Sequence, residues 1–132
     1  MKKNVLDQLK LDDPKIAIIG ATNDSKKYGN KIYKDLKNKG YSVYGINNKA
    51  TTIDGDKAYH TIKDLGFSPD IINVVVHPKI GLEIIKSACE MNLDNFWLQP
   101  GAESDEIIEY LEKMDKSFLS HSCVMVQTRN KS

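Results

Sequence analysis

Apolar positions along this chain follow two rhythms. Short apolar runs, the clearest at Ile16-Ala17-Ile18-Ile19 and, interrupted only by Asn73, at Ile71-Ile72-Asn73-Val74-Val75-Val76, alternate with stretches in which apolar residues recur every three or four positions. Runs of four to eight predict buried strands, and the three-to-four spacing predicts helices packed on them. On this basis strands are expected at residues 15–20, 41–47, 71–76, 95–99 and 118–126. A helix is expected at 28–38, with Ile32, Tyr33, Leu36 and the stem of Lys39 on its buried face and Gly40 as its cap. Residues 48–56 read as a polar loop, and residues 61–65 as a helical turn or two. His77-Pro78 opens a second helix whose stripe is Ile80, Ile84, Ile85, Ala88 and Met91. Ser104 caps a third, with Asp105 and Glu106 in its first turn and Ile107, Ile108 and Leu111 inward. Val5, Leu6 and Leu9 predict a short helix within residues 1–13, ended by Asp12-Asp13-Pro14. Strand and helix alternate throughout. The expected fold is one α/β domain over residues 1–132: three layers, Rossmann-like, with a five-stranded, mainly parallel sheet between helices.

The junction at Gly20 carries the first chemical hint. A strand, a glycine turn, a polar loop (residues 21–27) and a new helix form the first half of a nucleotide-binding βαβ unit. Backbone N–H groups of the first helical turn lack partners there, and the helix dipole favours an anion. The dinucleotide fingerprint G-x-G-x-x-G is nevertheless missing, because the next glycine after Gly20 is Gly29. Asn47 ends the second strand where an NAD-binding chain usually places an acid for the ribose diol. Ligands of such sheets sit beyond the carboxyl ends of the strands. Four exits are readable: Gly20-Ala21-Thr22-Asn23, Asn47-Asn48-Lys49, Val76-His77-Pro78 and Gln99-Pro100-Gly101. None of these quartets and triplets holds a carboxylate, which suits a neutral or anionic ligand.

Composition narrows the classes. The 132 residues carry a net charge of +1 with acids and bases interspersed, against the concentrated basic face a nucleic-acid partner favours. No apolar stretch reaches membrane-spanning length, and Met1-Lys2-Lys3 is not followed by a signal-peptide core, so the cytoplasm is the expected compartment. Cys89 and Cys123 are too sparse for a disulfide framework or zinc knuckle and read as small buried residues, on a helix and a strand respectively. Three scattered histidines give no metal set. His60 reads as a surface residue and His77 as a pocket wall without a nucleophile to serve. His121 and Cys123, two apart on the expected last strand, would share one face, where packing is the simpler reading than a nucleophile pair. Glu103, Asp105, Glu106 and Glu109 read as a solvated helix face.

Taken together, IAIIGAT, KYGNKIYKDLKNKGYSVYGINN, PDIINVVVHP, FWLQPGAESDEI and SCVMV resemble the small single-domain CoA-binding proteins, relatives of the CoA-binding domain of succinyl-CoA synthetase. Asn48 stands where that family often has proline. The resemblance implies binding of coenzyme A or an acyl-CoA around the Gly20 turn. Ala21, Thr22 and Asn23 would line the pyrophosphate, with Tyr28 and Lys31 bordering it. Asn47 and Lys49 would sit at the adenosine end. Val76, His77 and Pro78 would wall the nucleotide or pantetheine, and Gln99 with Gly101 would close the other side. The expectation is non-catalytic CoA binding. Its rivals are an NAD(P)-binding redox sensor or small oxidoreductase, and a regulatory module in which CoA is structural or absent.

Overall fold

The computed structural model describes residues 5–129. Residues 1–4, which include Met1-Lys2-Lys3 and the start of the expected N-terminal helix, and residues 130–132 lie outside the described residues. Within them that helix is one turn, α1 (Val5–Gln8), with Val5 and Gln8 buried.

At the centre lies β1 (Lys15–Ile19), all of whose residues from Ile16 on are buried. It pairs in parallel with β2 (Ser42–Ile46) on one side and β5 (Ile71–Val74) on the other, with Ile16 opposite both Val43 and Ile71. Beyond β5 run β6 (Phe96–Leu98) and β7 (Phe118–Leu119), both parallel. Beyond β2 lie β4 (Asp56–Tyr59), parallel to β2, and β3 (Thr52–Ile53), antiparallel to β4. The strand order is β3-β4-β2-β1-β5-β6-β7. The chain therefore moves outward one way from β1, returns, and continues the other way from β5.

Alternation along the strands sorts side chains between two layers. Ile16, Ile18, Ile71 and Trp97 meet α2 (Tyr28–Asn38), α1 and α5 (Val124–Gln127). Ala17, Ile19, Ile72, Val74, Phe96 and Leu98 meet α3 (Pro78–Glu90), α4 (Asp105–Lys113) and a 3₁₀ turn at Ile62–Leu65. Burial on both faces explains why the central strands read as continuous apolar runs.

Among the described residues the sheet has seven strands, two more than expected. The segment 48–56 is not all loop: it holds β3 and the start of β4, joined at Asp54-Gly55, whose φ values of 49° and 82° are those of a tight hairpin turn. The last expected strand, 118–126, stops at Leu119. His121 takes a φ of 60°, the chain turns, and Val124 begins α5. Trp97 Nε1 donates to the Ser122 carbonyl at 2.8 Å and fixes that turn. Cys123 is accordingly the residue before a helix, half-buried rather than on a strand, and shares no strand face with His121. On α3 the buried residues are Gly81, Leu82, Ile85, Ala88 and Cys89. Of the stripe expected there, Ile80 and Met91 point to solvent, 58% and 38% exposed.

Candidate functional site

The turn after β1 is shaped by two glycines. Gly20 has φ of +100°, and a Cβ on it would stand 2.8 Å from Val76 Cγ1, so both backbone and space demand glycine. Gly29, on the first turn of α2, lies so close that a Cβ there would be 1.9 Å from the Gly20 carbonyl oxygen. This pair brings the start of α2 hard against the strand exit, the close helix–strand approach that the last glycine of the dinucleotide fingerprint serves. Lys27, preceding α2, supplies no side-chain cap. The N–H groups of Asn30 and Lys31 already bond to the Lys27 carbonyl, which leaves those of Tyr28 and Gly29, beside the strand exit, without an intrahelical or capping partner.

The loop between the two glycines is internally braced. Asn30 Nδ2 donates to the Thr22 carbonyl at 3.0 Å, Thr22 Oγ1 accepts from the Asp24 N–H at 3.2 Å, and Asp24 Oδ1 accepts from the Lys26 N–H at 3.0 Å. Asn23 turns outward to the hairpin, donating to the Thr52 carbonyl at 2.8 Å and accepting from the Asp54 N–H at 2.9 Å.

Neighbouring exits are held level by ladder bonds that run one residue past the strands. Gly20 N–H donates to Ile46, Val75 N–H to Ile19 and Gln99 N–H to Val74. Above them lie two adjoining cavities, about 520 Å³ on the β6 side and about 420 Å³ on the β2 side. Gly20, Lys27, Val75, Val76 and His77 line both, at the switch in strand order between β1 and β5.

Of the residues expected at the site, Gly20, Val76 and His77 stand at this centre, Tyr28, Gln99 and Gly101 line the β6 side, and Thr22 and Asn47 line the β2 side. Ala21, Asn23, Lys31, Lys49 and Pro78 are not in either wall. Ala21 is fully buried, Pro78 forms the first residue of α3, and Lys31 places its Nζ 5.5 Å from the Tyr28 ring centroid. Asn47 uses its amide on the fold: Nδ2 donates to the Ala21 carbonyl at 3.0 Å, and Oδ1 accepts from the N–H groups of Lys49 and Ala50. Gln99 is likewise committed, donating to Asn73 Oδ1 and accepting from the Val124 N–H at 3.1 Å. Glu103, read as part of a solvated face, accepts from the Gly101 N–H at 2.9 Å and so braces the β6 exit.

Sequence reasoning passed over Lys26 and Lys27, Cys123, His60, Ile80 and Ile84 as cleft residues. Position just ahead of a helix that follows a glycine turn was the available signal for the lysines. Cys123 could be placed only by knowing that the chain turns at His121. His77 Nδ1 accepts from the Lys79 N–H at 3.2 Å and thereby caps α3. Among the described residues no hydrogen bond joins Cys123 to a histidine, and no group of three or more His, Cys, Asp and Glu residues could hold a metal ion. No helix among them is long and apolar enough to cross a membrane. Chemically, the cleft offers backbone N–H groups, a helix dipole and two lysines to an anion, and aliphatic walls to an extended chain.

The model of the family described as "CoA binding domain" matches residues 14–129. The chain is 28% identical over 120 residues to the alpha subunit of the ADP-forming acetate–CoA ligase II of Pyrococcus furiosus, covering 83% of this chain. It spans only about a quarter, 26%, of that subunit's length. Among solved structures it is similar to a conserved hypothetical protein of Pyrococcus furiosus, with TM-score 0.83, 40% identity, and coverage of 87% of this chain and 99% of that one. A hypothetical protein from Pyrococcus horikoshii shares the fold, with TM-score 0.84, 21% identity and coverage of 99% and 97%.

Proposed function

The chain belongs to the CoA binding domain family, and on that premise we propose that it binds coenzyme A, free or acylated, and catalyses no reaction on it. The observation that carries this reading is the Gly20–Gly29 contact, which delivers the uncapped N-terminus of α2 to the switch point of the sheet. A pyrophosphate fits there, against backbone N–H groups and Lys27. In open sheets of this kind the adenosine half lies toward the second strand. It therefore takes the β2-side cavity near Asn47, and the pantetheine arm takes the β6-side cavity past Val76, Gln99 and Gly101.

Asn47 argues against a nicotinamide dinucleotide. It has no carboxylate for a ribose diol, and its amide already serves three backbone groups. The reading without turnover is supported by the state of the cleft's histidine: His77 serves as a helix cap, and among the described residues no histidine is hydrogen-bonded to Cys123. The ligand pool implied by this reading is that of the cytoplasm.

Denaturing the purified protein and identifying the released small molecule by mass spectrometry tests the reading. Coenzyme A or one of its thioesters is expected. A nicotinamide dinucleotide in stoichiometric amount would overturn it.

A further inference from the structure

Helix α3 is apolar on two sides. Leu82, Ile85 and Cys89 face the core. Ile80, Ile84, Ser87 and Met91 succeed one another at intervals of four, three and four, which keeps them in one stripe along a second side. Ile80 is 58% and Met91 38% exposed, Ser87 is exposed and Ile84 half-buried. Core packing therefore accounts for the first side and for part of Ile84, and leaves Ile80, Ser87 and Met91 of the second uncovered.

The reason lies in the crossover from β4 to β5. A parallel crossover usually carries a full helix that packs on the sheet beside its neighbour. Here it carries only the four-residue 3₁₀ turn Ile62–Leu65. Between that turn and α3 an open groove of about 690 Å³ remains, with Ile46, Ile62, Ile84, Ala88 and Met91 among its walls. Its two rims differ in charge. Glu83 and Glu90 stand on the α3 side, Glu83 within 3.9 Å of Lys86 Nζ, and Lys63 on the side of the 3₁₀ turn; the two glutamates and Lys63 are exposed.

We propose that this groove is a two-fold interface, filled by the α3 stripe of a second copy of this chain. A two-fold contact sets one patch against itself. The patch here holds both halves of such a contact: an apolar ridge at Ile84 and Met91, and the groove beside it. Rotation about the two-fold also sets the acidic rim of each copy against Lys63 of the other, so the charges agree with the apolar fit. A partner of another kind would need to bring its own ridge and its own reversed charges. Ser87, small and central, lets the two helices approach closely. Ile46, His60 and Ile84 wall both this groove and the β2-side cavity, so the test is made on the ligand-free chain.

Sedimentation equilibrium on the ligand-free full chain, from about 1 µM to about 1 mM, tests this. The weight-average mass should climb from the 14.9 kDa of one chain toward twice that value. Met91→Glu should weaken dimerisation about tenfold or more by burying an unpaired charge. Lys63→Glu alone, and Glu83→Lys with Glu90→Lys alone, should each weaken it about fivefold through facing like charges. The triple variant should recover most of that loss. A mass fixed at one chain up to the highest concentration overturns the proposal. So does a dimer indifferent to Met91→Glu and to the charge exchanges.

Discussion

Gly29 stands where a side-chain carbon would lie 1.9 Å from the carbonyl oxygen of Gly20 and 2.8 Å from its carbonyl carbon. Both obstructing atoms are backbone, so neither can swing aside. Gly29→Ala must therefore push α2 away from the β1 exit. It should cost about 3 kcal/mol, the upper part of the overpacking range, read as a lower denaturant midpoint. Affinity for CoA should fall further than for a variant of equal instability elsewhere, because the helix N-terminus moves off the cleft. An alanine at position 29 that leaves stability unchanged would contradict this geometry.

The lysines should divide unequally. Lys27 lines both halves of the cleft, whereas Lys49, expected at the adenosine end, is exposed outside its walls with its N–H bonded to Asn47. Lys27→Ala should weaken CoA binding by about 1 kcal/mol at low ionic strength, and the difference should shrink as salt screens it. Lys49→Ala should have the smaller effect. Calorimetric titrations of both variants at two salt concentrations decide the order, and a larger loss for Lys49→Ala would reverse the assignment.

Much of the fold is legible in the sequence. Residues 28–38 were expected as a helix and form one, because Ile32, Tyr33 and Leu36 recur at its period and the Gly20 and Gly40 turns bound it. The β3–β4 hairpin was missed because its strands are two and four residues long and mostly polar. Asp54-Gly55 was the signal that stood there. The segment from His121 to Val126 was misread for a different reason. Four or five apolar residues fit a strand or a helix equally well, and what selects the helix is distant in sequence: Trp97 and Gln99 bond to Ser122 and Val124. At the site, the exits were legible as positions, but which side chains face the cleft was not. Asn23 is drawn out of the cleft wall, and the amide of Asn47, which stays in it, is committed, by backbone partners distant in sequence.

A second network should set the acid limit of stability. Tyr33 donates its hydroxyl to Asp56 Oδ2 at 2.8 Å, and Lys37 Nζ lies 2.9 Å from the same oxygen, tying α2 to the hairpin. Lys37, and then Tyr33, hold the Asp56 carboxyl below the usual carboxylate range. Burial and Asp56 push the Tyr33 hydroxyl well above its ordinary value. A lowered carboxylate stabilises the fold above its unfolded pKa, near 4, and that contribution is lost as pH falls through the folded value. A raised phenol stabilises below its unfolded pKa, near 10, and loses that contribution as pH rises through the folded value. Tyr33→Phe should cost about 1–2 kcal/mol at neutral pH and flatten the loss of stability below pH 4. Urea unfolding at several pH values checks both, and an unchanged acid limb would remove the Tyr33 contribution, leaving Asp56 held by Lys37 alone.

The central claim is that this cleft is built for coenzyme A and not for a nicotinamide dinucleotide. Parallel calorimetric titrations of the ligand-free chain with CoA, NAD and NADP measure it most directly. CoA should saturate one site per chain. It should also raise the unfolding free energy as RT ln(1 + [L]/Kd), about 2.7 kcal/mol at a hundredfold excess over Kd. NAD and NADP should bind at least about tenfold more weakly, a gap of about 1.4 kcal/mol. Binding of either dinucleotide as tight as that of CoA, or no heat and no stabilisation with CoA, would contradict the account.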